Sequence, residues 1–315
     1  MKVLVTGGAG FIGSHVVDRL LADGHQVVVV DDLSTGKRAN LNPGARFYEM
    51  DIQDRALAEV LERESPDVVD HHAAQMDVRR AVEDPLFDAR VNVLGLLNVL
   101  ESCVRSKVRK VIFVSSGGAV YGEPERLPAD EDHPIRPITP YGITKYVGEK
   151  YLYFYRVVHR LDYTVLRYAN VYGPRQDPHG EAGVVAIFIG LLAKGQVPTI
   201  NRYPDGEMQR DFVFVGDVVE ANAAALTRGS GRVLNIGTGR GTTVSDLLEA
   251  VQHTLGTRIE PHFGVARPGE LRQIYLAIDR AERYLGWRPR VNLEQGLWET
   301  AEWFRRQALS DPTTH

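Results

Sequence analysis

A tyrosine and a lysine four residues apart, Tyr141 and Lys145 in the run TPYGITKYVGEK, put a phenol and an ammonium on one helix face. A fixed positive charge beside a phenol favours the phenolate and lowers its pKa from about 10, which makes Tyr141 a candidate base for sugar or alcohol hydroxyls. The spacing also occurs on many solvated helices, so its meaning depends on the rest of the chain.

A second constellation lies at the start. TGGAGFIGSHVV places Gly7, Gly10 and Gly13 in a Gly-x-x-Gly-x-x-Gly pattern after a strand-like KVLVT and at the opening of a helix. Glycines there permit a tight turn, close approach to a pyrophosphate and close helix-to-strand packing, with the diphosphate at the positive helix end. Gly8, Gly10 and Gly13 satisfy the commoner Gly-x-Gly-x-x-Gly form as well. Asp31 ends the second strand, where a carboxylate can accept from the adenosine ribose hydroxyls and repel a 2′-phosphate. NAD is therefore the expected cofactor, with Lys37 and Arg38 pulling slightly toward NADP. Asp51 and Ile52 follow the third strand, where a side chain and backbone could meet the adenine, although Asp51 reads equally well as a loop cap. Ala73 and Ala74 in HHAAQ let the backbone approach a cofactor. His71 and His72 point to opposite faces of a strand with no companion at ligand spacing, so no metal is expected. Asn92 is a polar residue on an apolar helical stripe, placed to bond a helix carbonyl or to order the site. SSGGAVYG, from Ser115 to Gly122, offers hydroxyls and small residues at the end of the fifth strand, to polarise a C–O bond or to cap a turn.

The elements that must position these groups follow from the pattern. KVLVT, a helix over 11–22, QVVVV, ARFYE, a helix over 55–64, VVDHH, a long helix over 85–106 and KVIFVSS alternate in order. Such alternation predicts parallel strands, buried on both faces and joined by helical crossovers: an α/β, Rossmann-type doubly wound sheet. After the helix carrying Tyr141 and the strand DYTVLRY, a Gly- and Pro-rich region over 170–183 marks a smaller C-terminal α/β substrate lobe. RDFVFV, GDVVEANAAAL and RVLNIG read as the sheet resumed. The expected division is 1–168 plus about 212–238 for the nucleotide-binding domain, and about 169–211 with 239–315 for the substrate domain.

The chain has 315 residues, 43% hydrophobic, with a net charge of −4, enough for a sizeable core and no reason to expect nucleic acid. The single cysteine, Cys103, excludes an intrachain disulfide and suits a reducing cytoplasm. There is neither a targeting leader nor an apolar stretch of bilayer length, so no membrane partner is expected.

TGGAGFIG, Asp31, HHAAQ, SSGGAVYG and YGITK follow one another in the order and spacing of the extended short-chain dehydrogenase/reductases, which the chain resembles over nearly its whole length. Through LRYANVYGPRQ, GEMQRDFVFVGDV, LNIGTG and ARPGELRQ it is most similar to the members that act on UDP-hexoses. The resemblance implies C4 epimerisation between UDP-glucose and UDP-galactose over tightly bound NAD. By position it makes Tyr141 the base, Lys145 the ribose ligand that lowers the phenol's pKa, and Asn170 a contact to the diphosphate. Arg210 and Arg267 carry the diphosphate charge, Glu270 the uridine ribose, and the backbone from Thr199 to Asn201 the uracil. Further implied cofactor contacts are Phe11 and Ile12 in the glycine turn and Asp32, Leu33, Ser34, Thr35 and Gly36 after Asp31. His72, Gln75, Asn92, Ser115 and Tyr168 complete that set.

Two positions depart from the family pattern. The Ser or Thr expected three residues before the Val of VYG is Gly117, so Ser116 is the nearest substitute and Gly117 itself faces the substrate. Seven residues after Arg267 stands Ile274, where some epimerases carry a bulky Tyr that excludes N-acetylated sugars, so turnover of UDP-GlcNAc is expected too. The alternatives are a UDP-glucuronate 4-epimerase, a 4,6-dehydratase and a noncatalytic NAD sensor. Gly118 and Ala119 stand where the dehydratase needs an Asp-Glu pair. The family often dimerises through two long helices per subunit, and the apolar faces of 85–106 and 139–159 permit a homodimer.

Overall fold

Every second residue of a strand points to the same face, and here both faces are apolar. In the computed structural model, which describes residues 1–178, 183–266 and 269–310, the first half of the chain runs β1 (Lys2–Thr6), α1 (Phe11–Ala22), β2 (Gln26–Asp31), β3 (Arg46–Glu49), α2 (Leu57–Glu64), β4 (Val68–His71), α3 (Val78–Glu83) and α4 (Pro85–Ala89). A π-helical segment, Arg90–Gly95, leads into α5 (Leu96–Arg105), followed by β5 (Lys110–Ser116), α6 (Gly117–Val120), α7 (Pro140–His159) and β6 (Asp162–Tyr168). The remainder is β7 (Asn170–Tyr172), α8 (Val184–Ala193), β8 (Thr199–Arg202), β9 (Gln209–Arg210), β10 (Phe212–Phe214), α9 (Val215–Ala225), β11 (Arg232–Ile236), β12 (Thr242–Thr243), α10 (Val244–Leu255), β13 (His262–Val265), β14 (Gln273–Ile274), α11 (Asp279–Leu285) and α12 (Leu293–Ser310).

Seven strands form one parallel sheet in the order β11-β6-β5-β4-β1-β2-β3. Val3, Val5, Val27 and Val29 enter one core, while Leu4, Val28 and Val30 enter the other, which explains the unbroken apolar runs. The strand order reverses between β1 and β4, so the crevice at their carboxyl ends is the expected ligand site.

One expectation needs refining and one needs correction. The helix expected over 85–106 is present as one unbroken run over 85–105, but its middle is π-helical, with buried Asn92 bonded to groups outside the helix and Gly95 against Ile52. Such bulges concentrate at functional sites. The run RDFVFV does not rejoin the main sheet. Its core, β10, pairs in parallel with β7 in a separate two-stranded sheet, and only β11 returns to the edge of the large one. An apolar strand pattern fixes burial but not the partner. The smaller elements β12-β9-β14 and β13-β8 make two further sheets, and the apolar core under β1 and β2 continues without a break into α8, α9 and α10.

Candidate active site

The β1–α1 turn is shaped by its glycines. Gly7 has φ +70°, and a Cβ on it would lie 2.6 Å from the backbone nitrogen of Ala73 in the β4 loop. A Cβ on Gly13 would lie 2.2 Å from the carbonyl oxygen of Gly7, so α1 can start this close only with glycine there. Gly8 is equally confined, by Val29 and Val17, whereas a Cβ on Gly10 would meet only the Gly7 carbonyl, at 3.2 Å. Helix α1 begins with no capping side chain and no acidic residue in its first turn, leaving the Phe11 and Ile12 end for an anion.

Asp31 is buried, its Oδ2 accepting from the Ala9 backbone N–H (2.9 Å) and its Oδ1 from that of Leu33 (2.8 Å). Burial raises its carboxyl pKa, and each oxygen keeps a second lone pair for a hydroxyl. Gly36 packs on it, since a Cβ there would be 2.6 Å from Oδ1. Asp32 caps Ser34, with Thr35 exposed beyond. Lys37 is ion-paired with Asp177 (3.3 Å) and Arg38 with Glu49, so both cations suggested for a 2′-phosphate are engaged elsewhere. Turn, helix end and carboxylate together fit NAD. Asp51 is exposed and caps the Gln53 N–H at 2.8 Å, the loop-cap alternative, while the carbonyl of buried Ile52 accepts from Asn98 (2.7 Å).

The β4 loop is held in place by the π segment. Asn92 Oδ1 accepts from the Gln75 N–H (2.9 Å), and its Nδ2 donates to the Gln75 carbonyl (2.9 Å) and to Asp88 Oδ1 (3.0 Å). Ala73 donates to Thr6 Oγ1 (3.2 Å), and His72 to the Thr6 carbonyl (3.1 Å), which brings His72, Ala73 and Ala74 beside the glycine turn. His71 accompanies them as a buried, neutral side chain: burial and the nearby Lys145 charge push its pKa down to about 3. No group of three metal-ligating side chains occurs among the described residues.

Tyr141 and Lys145 lie one turn apart on α7, Lys145 Nζ sitting 5.8 Å from the centre of the Tyr141 ring. The ammonium is buried, donates to the Val114 carbonyl (3.0 Å) and lies over the Phe113 ring. The electrostatics differ from expectation. Burial pushes the Tyr141 phenol up to about 12; the Ser116 hydroxyl draws it back and the Asp88 charge adds to the rise. Burial also brings Lys145 down to about 8 against the pull of Asp88. Helical spacing predicted the neighbours correctly but carried no information about the desolvation that outweighs them.

Strand alternation separates the two serines. Ser115 is buried and donates to Glu149 (2.7 Å), which is clamped by Arg167 (2.6 and 2.8 Å), so the hydroxyl expected to serve the cofactor serves this ion pair. Ser116 is the one that meets Tyr141. Gly117 is filled from above, since a Cβ on it would lie 2.4 Å from Leu276 Cδ1. A Cβ on Gly118 would have room, flanked by Asn170 Oδ1 at 3.6 Å and Ser116 Oγ at 3.9 Å, so Ser116 and Asn170 border one open space. The hydroxyl of Tyr168 is exchanged with Asn222 (2.9 and 2.6 Å), leaving only its backbone at the sheet edge.

On the substrate side, Arg210 donates to the carbonyls of Gln209 (2.9 Å), Leu271 (2.7 Å) and Arg272 (3.3 Å). Glu270 is partly exposed and close enough to act on the Arg210 charge. Thr199 and Asn201 lie on β8 beside β13, and Ile274 pairs with Arg210 but is buried with Val120, Tyr121 and Leu276. Arg267 lies outside the described residues.

Buried carboxylates near the site, Asp211 and Asp88 among them, escaped the sequence reading. Asp211 accepts from the N–H groups of Thr238, Gly239 and Leu276 and from the Thr238 hydroxyl, tying β9, the turn after β11 and the segment over Gly117 together. For Asp88, an acidic residue between apolar ones was the only signal.

The profile of the NAD dependent epimerase/dehydratase family matches residues 3–237. A UDP-glucose 4-epimerase of Mycolicibacterium smegmatis is 47% identical over 314 residues, covering 98% of this chain and all of that one. Among solved structures, UDP-glucose 4-epimerase of Thermotoga maritima with UDP-glucose is 49% identical, with a TM-score of 0.95 over 98% of this chain and 100% of that one. The Thermus thermophilus UDP-glucose 4-epimerase in complex with NAD is 46% identical, with a TM-score of 0.93 over 97% and 99%.

Proposed function

This chain belongs to the NAD dependent epimerase/dehydratase family, and we propose that it interconverts UDP-glucose and UDP-galactose by inverting C4 of the hexose. The observation that carries the proposal is Tyr141 on α7, with Ser116 against its phenol and Lys145 one turn behind, at the carboxyl edge of a sheet whose glycine turn fits a dinucleotide.

Tyr141 takes the proton of the C4 hydroxyl, and Ser116, bordering the same space as Asn170, steadies the oxygen as charge develops on it. When bound, NAD supplies the oxidant that takes the C4 hydride and later returns it, together with a positive charge that favours the phenolate. Lys145 holds the cofactor ribose. Asn170, Arg210, Arg267, Glu270 and the backbone from Thr199 to Asn201 keep the UDP end fixed, so the 4-keto sugar can turn about its diphosphate linkage and present its other face. Tyr141 then gives the proton back, and configuration is inverted with no net oxidation. The turn from Gly7 to Gly13 and Asp31 retain the cofactor throughout, because release midway would strand the ketone.

Residues 1–168 with about 212–238 serve the cofactor, and 169–211 with 239–315 the nucleotide sugar. The α7 face carrying exposed Ile143, Phe154, Val157 and Val158, with exposed Leu86 and Leu94 from the neighbouring helix, is the surface through which two copies would pair. No helix among the described residues is long and apolar enough to cross a membrane, and a cytoplasmic setting suits the lone, buried Cys103 thiol.

Incubation with UDP-galactose followed by product analysis tests the reading. UDP-glucose is the expected product. Turnover of UDP-glucuronate alone, a dehydrated 4-keto sugar, or no turnover by NAD-loaded protein would each point to one of the rivals.

A further inference from the structure

Behind the reacting pair lies a carboxylate that the reaction as described does not use. Asp88, on α4, is 0% exposed. Its Oδ1 accepts from Gln75 Nε2 and Asn92 Nδ2, both at 3.0 Å, and its Oδ2 from Thr144 Oγ1 at 2.8 Å. Burial raises the Asp88 carboxyl pKa, while these three donors and the Lys145 charge work against that rise and favour the ionised form. The same Thr144 hydroxyl lies 3.0 Å from the carbonyl of Tyr141 and within the turn between Tyr141 and Lys145. The carboxylate thus joins the β4 loop, the π segment and the catalytic turn of α7.

We propose that Asp88 is a positioning residue for the epimerisation, a buried carboxylate whose hydrogen bonds to Gln75, Asn92 and Thr144 fix the turn that carries Tyr141 and Lys145 and hold its charge beside them. The charge acts on the two groups with one sign: it raises the affinity of the phenol and of the amine for a proton. It keeps Lys145 cationic in a place where burial favours the neutral amine, at the expense of a less acidic phenol. The other groups facing the pair do not share this role. His71, from β4, is held neutral by burial. Ser116, from β5, bears no charge. On α3 and the π segment, Arg80 stacks over Phe87 and Arg90 pairs with Asp84 (3.9 Å), both side chains being solvent-exposed.

The test is the pH profile of kcat/KM. Its two limbs belong to the Tyr141–Lys145 pair rather than to either residue. In Asp88→Asn, which keeps shape and loses charge, both limbs should move to lower pH by about one unit, the lower end of the effect of a neighbouring charge. A merely structural role would lower the rate and leave the limbs in place, and that result overturns the proposal. Asp88→Glu and Thr144→Val keep the carboxylate, so they should lower kcat with the limbs unmoved. Limbs that shift in either overturn it too, even if Asp88→Asn does not fold. The inference rests on the epimerase reading, so a second readout is independent of turnover: the ultraviolet titration of the Tyr141 phenolate, taken as the difference from Tyr141→Phe, should fall to lower pH in Asp88→Asn. Inactive wild-type protein defeats the epimerase reading; an unmoved phenolate titration defeats the role of Asp88.

Discussion

The space above Gly117 makes a sharp prediction about the hydroxyl that works with Tyr141. A Cβ at 117 would lie 2.4 Å from Leu276 Cδ1 and 3.0 Å from Cδ2, whereas carbon atoms pack at about 3.5–4.0 Å, so the overlap with Cδ1 is about 1 Å or more. Leu276 is 0% exposed and cannot turn into solvent to relieve it. Overpacking of this kind costs about 1–3 kcal/mol. Ser116→Ala removes the hydroxyl against the phenol, and if that hydroxyl stabilises developing charge on the C4 oxygen, kcat should fall by about 10² to 10³. Adding Gly117→Ser to Ser116→Ala should restore nothing and lower Tm. Adding Leu276→Ala as a third change should recover stability and part of the lost kcat, by opening the space a hydroxyl at 117 needs. The assay is steady-state turnover of UDP-galactose beside thermal unfolding for each variant. Ser116→Ala at near wild-type kcat, or full rescue by Gly117→Ser with Tm unchanged, would refute the reasoning.

Tyr141→Phe should retain NAD while kcat falls by about 10² to 10⁴, the usual contribution of a positioned proton-transfer group; near-normal turnover would remove Tyr141 from the mechanism. Gly13→Ala sets a Cβ 2.2 Å from the Gly7 carbonyl, so purified protein should lose bound NAD by absorbance and unfold at lower temperature; full cofactor retention would count against the turn as its cradle. Replacing Val157 and Val158 with Arg puts two charges on the exposed α7 face, and light scattering should show a dimer becoming a monomer; an unchanged mass places the interface elsewhere. UDP-GlcNAc should be epimerised alongside UDP-galactose, and Ile274→Tyr should depress the N-acetyl activity selectively; absence of UDP-GlcNAc turnover in wild-type protein removes Ile274 as a permissive position.

The parts of the site legible in the chain are those whose requirements are local. Gly7 and Gly13 mark the cofactor turn because a positive φ and a helix starting against a strand exclude a side chain within a few residues. Tyr141 and Lys145 are neighbours because a helix makes them so. The failures involve partners distant in sequence. The strand 212–214 carries an ordinary apolar pattern, and nothing in it says that it pairs with 170–172 rather than with the main sheet. The π turn over Asn92 depends on Gln75, 17 residues away, and on Thr144, 52 residues away.

By itself the sequence determined the alternation of buried strands and crossover helices, the dinucleotide turn and the pairing of Tyr141 with Lys145 on one helix turn, all set by periodicity, glycine geometry and helical spacing. The tertiary structure decided which serine meets the Tyr141 phenol, by turning Ser115 to Glu149 and Ser116 to Tyr141. It also decided that Leu276, 159 positions further along the chain than Gly117, occupies the place of a missing hydroxyl. Finally, it set the charge balance at Tyr141. Local spacing promised a phenol made more acidic by Lys145, but burial and the Asp88 carboxylate raise it instead, because desolvation depends on everything packed around a group.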